Sequence, residues 1–273
     1  MKNDKSLEQT VRHVHWLLHS PDFMQFPRRY NLTRAEQARF VKPIDHLLQR
    51  NPKKLHLPCV FEKMRLGSYF EQLLLWVFNH HPDYRMVASN QSIMSGERTI
   101  GECDYILENR RRQQIEHWEV TVKFYLANRL PDGSWEFVSA YNNRTLTKKR
   151  NHMLNHQLPL LDSPEGKWYQ KEHRLKVDRC VAFTRGRLFY PFGKKRFNDR
   201  QLSSGHLMGQ WYRLSQLPPR RWKHISGVQS FVPGKDLPDF QQSRIRKPVK
   251  LYDPSKREFA FVVPDNWRKK GKS

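Results

Sequence analysis

The sequence is short of acid: its 273 residues hold 26 Asp and Glu against 50 Lys and Arg, a formal charge of +24. It is also short of cysteine, with only Cys59, Cys103 and Cys180, odd in number and widely spaced. That excludes a disulfide framework and a Cys-x-x-Cys metal pair, and leaves reduced thiols as the expectation. No apolar run approaches the roughly 18 residues of a membrane span, and Met1-Lys-Asn-Asp-Lys has no apolar signal core. Membrane insertion and export are therefore not expected, and the cytoplasm is. Hydrophobic residues are scarce at 37%, low for a compact enzyme, yet 12% of residues are aromatic and eight are Trp. A disordered chain lacks such aromatics, so a folded core under a charged surface follows.

The charge is uneven. Residues 161–273 carry 26 basic and only 10 acidic side chains. Such a field concentrates polyanions, which makes nucleic acid the expected partner. The length allows one large domain, or one domain with sizeable appendages.

Helical spacing of Leu7, Val11, Val14, Leu17 and Leu18 predicts a helix over 5–19, stopped by Ser20-Pro21. A second is predicted over 33–50, with Thr33 as N-cap and Glu36 completing a capping box, and with a kink or break at Pro43. The strongest helical signal covers 64–80, apolar on most sides and hence buried. Glu71 lies within it among Leu74, Leu75 and Phe78, and a buried carboxylate must be paired, protonated or metal-bound. Strands are expected around 84–93, 99–108, 114–126 and 176–184, with a helix at 144–158. The expected divisions are an α-helical N-terminal extension (1–60), a core (61–185) and a basic C-terminal region packed on the core (186–273), disordered after Trp267.

Residues 115–126 (IEHWEVTVKFYL) carry the chemistry. Alternation places Trp118, Val120, Val122, Phe124 and Leu126 on one face of a strand, and His117, Glu119, Thr121 and Lys123 on the other. In the preceding strand Glu102 and Asp104 face away from Cys103, Tyr105 and Leu107. If the strands are neighbours, Asp104 and Glu119 can converge on a hard divalent cation, Mg²⁺ or Mn²⁺, with Lys123 beside it. An anionic cradle, a metal-activated water and a cation on the phosphate suffice for phosphodiester hydrolysis.

Gly101-x-x-Asp104, then Glu119 and Lys123, after a helix containing Leu66-Gly-Ser-Tyr-Phe-Glu71, resembles the PD-(D/E)XK nuclease superfamily over residues 64–184. More narrowly, four segments are similar to a bacterial domain-of-unknown-function family assigned to that superfamily. They are Val11-Arg-His-Val-His-Trp-Leu-Leu, His117-Trp-Glu-Val-Thr-Val-Lys-Phe-Tyr-Leu, Gly205-His-Leu-Met-Gly-Gln-Trp and Phe261-Val-Val-Pro-Asp-Asn-Trp. The resemblance implies an α/β, restriction-endonuclease-like fold: helix, three strands, helix, strand, with a mixed central sheet flanked by helices. It further implies Asp104, Glu119 and Lys123 as catalytic residues, with Glu71, Asp104 and Glu119 holding metal. The usual acid two residues before the lysine is replaced by Thr121, and Glu119 stands one strand step further back, roughly 7 Å along the strand. The alternative is therefore a nuclease-derived fold that binds nucleic acid or scaffolds a partner without catalysis.

The superfamily's second helix often supplies a Gln or a basic residue, a role that would fall to Gln157 with Lys149 or Arg150. Arg110, Arg111, Arg112, Lys194, Lys195 and Arg196 form basic clusters expected to contact phosphate, DNA ahead of RNA. His152 and His156 make an HxxxH without the Glu of a zinc-protease motif, and His206 is expected to be structural.

Overall fold

The computed structural model describes residues 2–55, 64–194, 196, 197, 199–241 and 245–268. The order is α1 (Lys2–His19), α2 (Arg34–Arg50), α3 (Leu66–His80), β1 (Tyr84–Ser95), β2 (Arg98–Asn109), β3 (Gln114–Arg129) and β4 (Trp135–Ser139). It continues with α4 (Leu146–His152), α5 (Pro164–Glu172), β5 (Val177–Pro191), β6 (Leu207–Arg213), β7 (Lys223–Ile225), β8 (Val249–Asp253) and β9 (Glu258–Val263). The described strands form one mixed sheet in the order β1-β2-β3-β5-β6-β9-β8-β7, with β4 pairing on β3. Neighbours are antiparallel at both ends and parallel across β3-β5-β6-β9. Cys59, Lys195 and the tail from 269 lie outside the described residues.

Helices cover both faces. Val14 and Leu17 of α1, Phe40 and Ile44 of α2, and Leu73 and Val77 of α3 share one apolar cluster with Trp118, Val120, Val181 and Phe183 of the sheet. On the other face, Leu146 and Met153 pack with Tyr125, Ala182 and Tyr190, and with Phe23 and Phe26 from the segment after α1. The predicted helix over 144–158 is less regular than expected: α4 ends at His152 and one π-helical turn, Met153–Gln157, follows.

The Thr33–Glu36 capping box forms, each side chain bonding the other's backbone N–H. Glu36 also binds Arg179 at 2.6 Å, and these partners hold its carboxyl near 2 despite burial. Pro43 leaves α2 unbroken. Proline cannot donate to the carbonyl four residues back, and His81 Nε2 lies 3.3 Å from that Arg39 carbonyl, taking up the vacated acceptor. Buried Arg185 of β5 reaches Asp22 at 2.7 Å and the Leu17 carbonyl at 2.8 Å, tying the end of α1 to the sheet.

Gly186 is opposite Lys123 in the parallel β3–β5 register. A Cβ there would lie 1.9 Å from the Lys123 carbonyl oxygen, on a backbone with φ +157°. Neither element is mobile, since the contact is backbone against backbone. Gly186→Ala is therefore expected to cost about 3 kcal/mol or more, at the upper end of overpacking. Urea unfolding checks this; an unchanged midpoint would mean the two strands can part there freely.

Candidate functional site

The geometry begins where two strands separate. β2 pairs with β3 from Asn109↔Gln114 to Tyr105↔Trp118, and the ladder stops there. β3 continues against β5 as far as Leu126↔Phe189. A backbone N–H stripped of its ladder partner needs another acceptor. Asp104 supplies it: its Oδ2 accepts from Val120 N at 2.7 Å, so the acid is pinned at the mouth of the notch.

Strict alternation fails at this point. Tyr105 and Leu107 pack under α3, whereas Cys103 packs with Ile93, Ile106 and Leu160 on the other face. The expectation that Cys103, Tyr105 and Leu107 share a face is thus corrected. Past Tyr105 β2 has only β1 to follow, and it changes facing.

β3 is also more buried than a strand with one polar face. His117, Glu119 and Thr121 are buried, because α4 and the π turn close over them; Lys123 is exposed. Burying a carboxylate requires full pairing, and Glu119 is paired at both oxygens. His117 Nε2 donates to Oε1 at 2.9 Å, and Gln157 Nε2 donates to Oε2 at 2.6 Å. Gln157 Oε1 in turn accepts from Lys149 Nζ at 2.7 Å. Burial disfavours a charged His117 ring, but Cys103, Cys180 and Glu119 outweigh it and hold its pKa well above normal. His117 is therefore biased toward its protonated form beside Glu119, while its Nδ1 makes no hydrogen bond.

The acids share one electrostatic neighbourhood. Burial, then Glu119 and Glu71, push the Asp104 carboxyl up to about 8, against its Val120 bond and Lys149. Burial and Glu102 raise Glu71, with Lys123 opposing. The Lys123 side chain reaches solvent, but the protein around its amine partly desolvates it and Arg144 repels its charge, so the amine is lowered, with Glu71 opposing. Lys149 is lowered by burial, though Glu119 and Asp104 favour its charge. Glu71, Asp104 and Glu119 do not bring three oxygens within 4.8 Å of one another; among the described residues the trio that does is His15, His19 and Asp45.

Of the expected nucleic-acid contacts among the described residues, Lys149 and Gln157 join the site and the others do not. Arg150 bonds the Gln25 carbonyl and lies over the Phe26 ring. Arg112 is bound to Glu36 and Gln114. The Arg110–Arg112 turn precedes the start of β3, and Glu119 lies five residues into that strand, roughly 17 Å along it. Arg196 braces His206, whose buried ring also bonds Tyr190 at 2.8 Å; this histidine is structural, as expected. Lys194 is exposed beyond the end of β5. His152 and His156 are exposed, 5.3 Å apart between ring centroids, and have no third His, Cys, Asp or Glu within ligating reach among the described residues.

Two contributors escaped the sequence reading. His117 stands two residues before Glu119 on the same strand face, a signal the alternation already contained. Arg144 lies close enough to Lys123 to repel its charge, and it left no local trace in the sequence. No helix among the described residues is long and apolar enough to cross a membrane.

No curated protein and no solved structure matches the chain. The family described as "Domain of unknown function (DUF1853)" matches residues 12–231, and the chain belongs to that family.

Proposed function

We propose that the protein is a metal-dependent, nuclease-like protein that binds nucleic acid, DNA ahead of RNA, and cleaves phosphodiesters at Asp104, Glu119 and Lys123. One observation carries the reading: Glu119, on β3 itself, sits close enough to Asp104, from a strand that has parted from β3, to oppose the ionisation of Asp104. A carboxyl perturbed by desolvation together with a specific charged neighbour is a functional-site candidate. The resemblance to PD-(D/E)XK nucleases names the same residues, and the order α3-β1-β2-β3-β4-α4-α5-β5 contains the one it implies with β4 and α5 added.

The donor set suits a hard cation. Asp104 and Glu119, two carboxylates from separating strands, would hold Mg²⁺ or Mn²⁺, with Glu71 on the adjoining helix. Such an ion, when bound, supplies an activated water and neutralises phosphate oxygen. The chain's own residues do the rest. His117 and the Gln157–Lys149 relay fix the orientation of Glu119. Lys123, exposed and with a lowered pKa, can donate to the phosphate or exchange a proton. Arg144 adds a second cation, and Tyr141, 60% exposed, offers a ring on which a base can stack.

A non-catalytic reading has its own support. Both Glu119 oxygens already have protein donors, and Thr121 occupies the position of the usual acid. The assay is cleavage of labelled single- and double-stranded DNA and RNA with Mg²⁺ or Mn²⁺, with EDTA as control, beside binding across a salt series. EDTA-sensitive cleavage is expected, and log affinity should fall against log salt with a slope of about −0.9 per neutralised phosphate on duplex DNA. Binding with this slope but no cleavage supports the non-catalytic reading. No binding at low salt sinks the nuclease reading and leaves, of the alternative, only the scaffold for another partner.

A further inference from the structure

We infer that His15, His19 and Asp45 form a binding site for a borderline divalent transition metal of the Zn²⁺ class, clipping α1 to α2. This stands apart from the nuclease reading and shares no residue with it.

His15 and His19 are four residues apart on α1 and so project from one helix face. Their rings stack at 4.0 Å between centroids, 15° from parallel. Asp45 comes from α2 and offers one oxygen to each ring: Oδ2 lies 2.8 Å from His19 Nε2, and Oδ1 lies 3.9 Å from His15 Nε2. Three ligand atoms, one per residue, all fall within 4.8 Å of one another. A tetrahedral zinc with bonds near 2.0–2.2 Å wants its ligand atoms roughly 3.3 Å apart. Rotation of exposed imidazoles covers that difference without moving either helix.

A second observation points to a missing ligand. Asp45 Oδ1 is buried and has no hydrogen-bond partner, while its distance to His15 is too long for a hydrogen bond. Buried carboxylate oxygens without a donor are rare. The His19 contact satisfies only Oδ2, and an ion between His15, His19 and Asp45 would satisfy Oδ1 as well. The chemistry selects the ion, because imidazole nitrogens favour zinc-class metals over Mg²⁺. Access is open, with the His15 and His19 side chains 61% and 42% exposed, and three protein ligands leave a fourth position for water. His152 and His156 share the spacing but lack the third ligand, so the Asp on the neighbouring helix makes the difference.

The test uses the full chain, titrated calorimetrically with Zn²⁺ and melted with and without it. Wild type is expected to bind one more equivalent than His15→Ala, His19→Ala or Asp45→Asn, each weakened at least tenfold at this site. Zn²⁺ should raise the wild-type melting temperature and leave that of the three variants unmoved, while His152→Ala behaves as wild type. Millimolar Mg²⁺ should not compete. Both histidines are exposed and alanine is the best helix former, so the histidine variants keep α1. Equal stoichiometry and equal melting shifts in wild type and His19→Ala would overturn the site.

Discussion

Lys123→Ala is expected to lower the rate of phosphodiester cleavage by about 10²–10³ while leaving nucleic-acid affinity within about twofold. The asymmetry follows from what each measurement sums. Binding spreads over many phosphates, and one lysine among 50 Lys and Arg contributes little to that total. A cation aimed at charge that develops only in the transition state acts on the rate alone, worth about 2.7–4 kcal/mol. Lys123 suits the comparison because it is exposed and its removal leaves no void in the core. Glu119→Gln should abolish cleavage too, but there the fold is at stake: it removes the buried carboxylate that His117 and Gln157 bind. Lys123→Ala therefore isolates chemistry, and Glu119→Gln needs an unfolding curve beside it. If wild type and Lys123→Ala cleave equally, the activity is contamination and the non-catalytic reading stands.

The second large effect is the pH dependence of metal-free stability at Asp104. Its folded pKa is pushed up to about 8, from an ordinary value of 3.8 in the unfolded chain. The folded protein thus binds a proton that the unfolded chain has released, and stability from this group is complete below about pH 4 and lost as pH rises toward 8. Each pH unit in that window carries about 1.4 kcal/mol. Asp104→Asn removes the titration while keeping an amide oxygen for the Val120 N–H. At pH 8 with EDTA the variant is expected to be more stable than wild type by up to about 5 kcal/mol, with the gap closing near pH 4. Comparing the two proteins cancels the opposite slope from acids with lowered pKa, such as Glu36. Mn²⁺ should restore wild type alone and release a proton on binding, visible as a buffer-dependent heat near pH 7. Parallel stability curves for wild type and variant would show that Asp104 is not strained by its neighbours.

What could be read locally is what depends on local periodicity. The capping box at Thr33–Glu36, the burial of 66–80, and the strand carrying Glu119 and Lys123 all come from spacings of three, four or two residues. So does the choice of Asp104, Glu119, Lys123 and Glu71, since residue type and face are local properties. Their shared electrostatic neighbourhood is not local, because it requires β2 to leave β3 at Tyr105. That parting also reversed the facing of Cys103, which alternation placed wrongly.

The basic clusters show the other limit. A run of like charge is visible in sequence, but its position on the surface is set by where its strand ends. Arg112 is consequently spent on Glu36 ahead of the start of β3. His15 and His19 form half of a metal site in sequence, and only the packing of α2 across α1 brings Asp45 to them. The sequence by itself determined the elements, the charge and the chemical inventory, because each rests on spacings within one segment. The tertiary structure decided which groups meet, because a contact between distant segments depends on register, strand divergence and helix packing that no single segment encodes.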